Sequence, residues 1–220
     1  MTDARALQRL LTWMSPSFPV GAFAWSAGLE SAIAEGAVRD SATTKNWLEG
    51  TLLHGGPRTD AILLAQAYRA AGDRAALAEL ADLCLALIPA RERRDETLIT
   101  GDAFIFACKA WPVASDAALP TPCPYPIAVG ALAATHDIGV GDTVLAFLTA
   151  TLQAQVSVAV RLIPLGQTAG LGIMAALEPQ IATLSTACVE ATLADLGSIA
   201  YAADIAQMRH ETLPTRIFRS

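Results

Sequence analysis

SPSFPVGAFAWSAGLE, residues 15–30, is the stretch around which the rest of the chain is organised. Pro16 and Pro19 fix φ and push the residues before them towards extended conformations, so Ser15 to Val20 cannot be helical. Gly21 then permits a sharp change of direction. From Phe23 onward apolar residues recur at three- and four-residue intervals, which predicts a helix over about Ala24 to Glu35 that stops at Gly36. Two aromatics, Phe23 and Trp25, therefore sit beside a kinked elbow between helices, and a packed elbow is the plain reading.

Upstream, Leu7, Leu10, Leu11 and Met14 keep helical spacing and predict a first short helix over Ala4 to Met14. Downstream, Asp40 or Ser41 caps a helix carrying Trp47, Leu48, Leu52 and Leu53. Gly55-Gly56-Pro57 breaks it, and Thr59 or Asp60 restarts the chain. Asp60 to Ala90 reads as two antiparallel helices joined at Gly72-Asp73, with Asp73 as N-cap of the second. Arg91 to Glu96, RERRDE, alternates in sign and reads as a solvated helix face. That helix continues apolar through Trp111. Five prolines between Ala110 and Pro126 predict a surface loop. Ile127 to His136 then forms a compact helix and Asp142 to Ile163 a long buried one, with Arg161 favouring its C-terminal dipole. Thr168 to Leu177, Pro179 to Leu196 and Ile199 to His210 give three more. No alternation of period two occurs, so the class is all-α: a single-domain irregular helical bundle of about ten helices.

At 220 residues and 53% hydrophobic, the chain can fill one core. Thr143 to Val160 is an uncharged run of 18 residues, long enough to raise a membrane span. Its Thr, Gln and Ser residues favour a core helix instead, so no membrane is expected. Asp3, Arg5 and Arg9 interrupt any export signal, which predicts a cytoplasmic location. Cys84, Cys108, Cys123 and Cys188 form no CxxC pair and read as reduced, buried thiols. A net charge of −6 without a basic stripe disfavours nucleic acid. Any partner is expected to be protein.

The chain carries neither HExxH, GxSxG, GxGxxG nor GxxxxGK[ST]. His54, His136 and His210 lie far apart in sequence, each reading as structural or exposed. Glu92 and Glu96 share a helical face, and with Glu30 and Asp102 suggest metal-binding carboxylates; without an ExxH partner that reading has little to stand on. No catalytic residue, metal ligand or cofactor is therefore assigned. Arg91, Arg93, Arg94 and Arg216 could each serve a nucleotide-hydrolysing partner in trans. The last stretch, MRHETLPTRIFRS at 208–220, sets Ile217 and Phe218 between arginines, the composition of an anchor that orders on docking.

Three segments together, SPSFPVGAFAWSAGLE at 15–30, VRLIPLGQTAG at 160–170 and MRHETLPTRIFRS at 208–220, resemble the urease accessory protein UreF family. The similarity runs from Leu10 to Ser220, with WLEG at 47–50, Asp60, ARERRDE with Gly101, and PIAVG at 126–130 in matching places. Trp25 stands where the family commonly has tyrosine or histidine, and Pro124 where a histidine is usual.

The resemblance implies an all-α, non-catalytic homodimer that bridges UreD (also called UreH) and the GTPase UreG during nickel insertion into apo-urease. It further implies a C-terminal tail, about 208–220, that orders on partner binding. The matching partner-binding positions are Arg209, His210, Glu211, Leu213, Arg216, Ile217, Phe218, Arg219 and Ser220, with Arg216 implicated in recruiting UreG. Phe23, and beside it Trp25, match a dimer or partner contact. An alternative is regulation of UreG's GTP hydrolysis in trans through an arginine.

Overall fold

The computed structural model describes residues 3–112 and 117–220. Among the described residues ten α-helices run in the order α1 (Ala4–Trp13), α2 (Leu29–Ala34), α3 (Ser41–His54), α4 (Gly56–Arg69), α5 (Arg74–Ala86), α6 (Arg91–Cys108), α7 (Tyr125–Thr135), α8 (Val140–Leu162), α9 (Gln167–Glu190) and α10 (Tyr201–His210). Two short 3-10 turns, Ala22–Ala24 and Leu193–Asp195, complete the regular structure, and no strand occurs among the described residues. The expected all-α class and helix number hold.

The centre of the bundle is the crossing of α4 on α7. Ile62, Leu63, Leu64 and Ala65 are all buried, and so is every residue of α7 from Pro126 to Ala133, so α7 is apolar all round and lies on the buried stretch of α4. Gly130 is what lets them meet. A Cβ there would lie 2.2 Å from the Leu64 carbonyl oxygen, so the backbones touch with nothing between them. Around this pair pack α6, α8 and α9, with α8 against α9 as the second main contact. Trp13, Phe18, Phe104, Trp111 and Tyr125 form a chain of edge-to-face and tilted rings that ties α1 and the Pro16 to Val20 segment to α6 and α7.

Several boundaries differ from the sequence reading, each for a physical reason. Asp40 caps α3 in a reciprocal capping box with Thr43. The break at Gly55-Gly56-Pro57 is a single residue long, because Pro57 sits in the first turn of α4, where its missing N–H costs nothing. The helix expected over 24–35 is in two pieces: a 3-10 turn, extended Trp25, and α2. Ala27 and Gly28 between them adopt positive φ (49° and 81°). α9 runs unbroken through Pro179, where two helices were expected. Ala175, whose carbonyl loses its partner there, is exposed, so water can take the place of the missing N–H.

α8 is the candidate span by length and composition, yet it packs on α9 and α4 with under half of its apolar window buried. The all-round buried helix is the shorter α7, not α8 as expected. The proline-rich loop is only partly a surface feature. Val113 to Asp116 lie outside the described residues, but Cys123 and Pro124 are buried, and the Cys123 amide donates to Asp102 Oδ1 at 3.1 Å. All four cysteines are free and buried, as expected.

Candidate docking site

The elbow and the C-terminal segment, distant in sequence, form one structure. Backbone pairing begins it: the Arg219 amide donates to the Ala24 carbonyl at 2.8 Å and the Ser26 amide to the Ser220 carbonyl at 2.7 Å. The Ser26 hydroxyl also donates to the Ser220 carbonyl oxygen. This pairing explains why the predicted helix over 24–35 is interrupted, since residues 24–27 give their polar groups to the tail. Gly28 then lets α10 approach. A Cβ there would sit 2.7 Å from the Gln207 nitrogen, and its φ of 81° excludes other residues on separate grounds.

Beneath the pairing lies a buried charged cluster drawn from four elements. Glu30 on α2 accepts from the Ile217 amide (2.7 Å) and the Phe218 amide (3.0 Å). The His210 ring on α10, fully buried, places Nε2 2.9 Å from Glu30 and Nδ1 2.7 Å from Glu92 on α6. Arg216 donates to the other Glu92 oxygen at 2.7 Å. Burial pushes the Glu30 carboxyl up, but the His210 ring and the two tail amides outweigh it and hold the group below its ordinary value. Glu211 adds a tie, accepting at 3.3 Å from the Arg91 amide at the start of α6, where Ala90 offers no side-chain cap.

Two stacked guanidiniums close the arrangement. Arg161 of α8 lies over the Phe218 ring, 4.3 Å from its centroid, and donates to the Phe23 carbonyl at 3.0 Å. Arg219 lies over Trp25 at 4.6 Å. Beside the Arg219–Trp25 stack opens a groove of about 430 Å³ lined by residues of the elbow, of the tail and of α6 from Arg91 to Ile99.

The residues singled out from sequence thus divide by exposure. Trp25, His210, Phe218 and Ser220 are buried in the chain's own body. Phe23 and Ile217 are 71% and 72% exposed, and Arg209, Arg216 and Arg219 are exposed. Arg209 meets Glu35 at 2.9 Å on the surface, while Glu211 and Leu213 are half-buried. Four residues were missed or misread: Ser26, Glu30, Glu92 and Arg161. Glu30 is flanked by the apolar or small Leu29, Ser31 and Ala32, a buried acid in such a run being the one local signal that it has a partner.

RERRDE is only half a solvated face: Arg91, Arg94 and Asp95 are exposed, while Glu92, Arg93 and Glu96 turn inward. Arg93 pairs with buried Asp60 on α4 and lies 3.8 Å from Glu96. Burial pushes the carboxyls of both Asp60 and Glu96 up and outweighs the arginine beside them, with the Asp60 charge adding to the rise at Glu96. Glu92 and Glu96 therefore serve different partners, and among the described residues no three His, Cys, Asp or Glu side chains gather as a metal would require. His136 accepts from Arg9 at 2.6 Å, and burial together with that guanidinium lowers it to about 4. It lies far in sequence from the cluster and packs on Trp13.

What this geometry defines is an all-helical domain whose charged groups are committed to fixing one segment of chain against another. The UreF family model matches residues 38–178. Close relatives carry the name urease accessory protein UreF: one from Rhodopseudomonas palustris (strain BisA53) is 47% identical over 99% of this chain and 94% of its own length. One from Rhizobium etli is 46% identical over 99% and 98%, and one from Agrobacterium fabrum 47% over 98% and 96%. The chain belongs to the UreF family of urease accessory proteins.

Proposed function

We propose that this protein is a non-catalytic adaptor that bridges UreD (UreH) and the GTPase UreG, as a homodimer in the cytoplasm, so that nickel can be inserted into apo-urease. The observation that carries it is the meeting of residues 23–30, 161 and 209–220 in one place, drawn from the segments on which the resemblance rests. Exposed Phe23 and Ile217 supply apolar anchors, and Arg216 and Arg219 supply guanidiniums beside them, the residue types that dominate binding energy at interfaces. Trp25 and Phe218 act from beneath, bracing Arg219 and the tail. In this reading, residues 208–220 order fully when UreD binds, and an assembly of this kind covers more than about 2,000 Å².

Arg216 is the residue offered to UreG, its side chain 42% exposed while one nitrogen is held by Glu92. Co-expression of Arg216→Ala with UreD and UreG tests this: UreD is expected to co-purify and UreG to be lost. Retention of UreG would overturn the assignment. The partial exposure of Arg216 also favours the second reading, in which it enters the UreG nucleotide site and speeds hydrolysis by about three to five powers of ten. Single-turnover GTP hydrolysis with and without this protein separates the two.

A further inference from the structure

His210 stands out because both of its ring nitrogens face carboxylate oxygens, Nε2 to Glu30 and Nδ1 to Glu92, in a place with no exposed surface. Ionised carboxylates accept hydrogen bonds and do not donate them. A neutral imidazole has one donor and one lone pair, so one of the two short contacts would set a lone pair against an oxygen. A ring with hydrogen on each nitrogen satisfies both. The charges then balance, two carboxylates against the imidazolium and Arg216, whereas a neutral ring leaves an uncompensated negative charge inside the fold.

We propose that His210, as an imidazolium clasped between Glu30 and Glu92, is the positioning residue that locks residues 212–220 onto the body. Glu30 is the hinge of this device. The same carboxylate that takes the ring accepts the Ile217 and Phe218 amides, so the ring fixes the oxygens that fix the tail. Glu92 does the equivalent for Arg216, presenting one oxygen to the ring and the other to the guanidinium. The lock is a property of this chain alone; only the use of the ordered segment rests on the proposed adaptor role.

Imidazole nitrogen NMR on the full chain tests it directly, with His136, whose Nδ1 accepts from Arg9, as a neutral reference in the same spectrum. His210 is expected to show two protonated nitrogens near neutral pH, and a neutral tautomer would overturn the proposal. Hydrogen exchange supplies the second arm: His210→Gln, which carries both donors on one nitrogen and turns its carbonyl oxygen to the other carboxylate, is expected to speed exchange of the Ile217 and Phe218 amides about tenfold or more. Amides of Ile62 to Ala65 on α4 should be unmoved. Unchanged tail exchange in that variant would equally overturn it, and both readouts use the isolated protein, so they stand apart from any failure to capture UreD or UreG.

Discussion

Glu30 shows how much one side chain can be made to hold. Three donors converge on its two oxygens, two of them tail amides, and they outweigh the burial that would otherwise raise its pKa. A carboxyl whose folded pKa is depressed contributes stability above its unfolded value and loses it as the pH falls through the folded one. Protection of the Ile217 and Phe218 amides is therefore expected to be complete well above the ordinary carboxyl value of 4.5 and to fall away below it. Exchange measured across that range checks the sign; protection that grew on acidification would contradict it. Glu30→Gln should loosen the same amides at neutral pH, since hydrogen bonds to a charged acceptor are worth about 1.5–3 kcal/mol. Locally only the acid set in an apolar run hinted at this: Glu30 and His210 lie on helices whose patterns do not name the partner, and their meeting is a fact of the tertiary fold.

Among the elements, α4 and α7 set the architecture, and here sequence patterning reads well. The breaker at Gly55 to Pro57, the Asp73 cap and the apolar run of 126–133 place both helices within a few residues. What patterning cannot show is the distance between them. Gly130→Ala would drive a methyl group into the Leu64 carbonyl and is expected to cost at least about 1–3 kcal/mol, read as a lowered midpoint in urea. The charged run at the start of α6 misleads in the opposite direction, because alternation of sign on a helix usually marks solvent. Arg93 instead faces inward to Asp60. Removing a buried partner while leaving its acid behind costs about 3–5 kcal/mol, so Arg93→Ala should lower Tm by roughly 10 °C. Pro179 misleads too: a proline is tolerated inside a long helix where the rest of the helix is held by packing and the freed carbonyl reaches water.

For the molecule as a whole, the chemistry is inward-looking. Burial pushes the Cys108 and Cys123 thiols up to about 12 and Cys188 to about 11, so none is ready to react. A thiol reagent at neutral pH is expected to modify the native protein slowly and all four cysteines rapidly once it is unfolded; rapid labelling of the folded chain would contradict the packing described. The fold class was readable, and the residue types of the two distant segments suggested anchors. That one segment closes over the other, burying Trp25 and Phe218 and leaving Phe23, Arg216 and Ile217 outside, required the coordinates.

The proposed adaptor role makes this closed surface a handle for UreD and UreG. Its most direct measurement is co-purification of the full chain with both proteins, beside a variant lacking residues 216–220 whose helicity is verified by circular dichroism. The expected result is a three-component assembly with the full chain and none with the shortened one at unchanged helicity. A full chain that emerges alone, or a shortened chain that retains both partners, would contradict it.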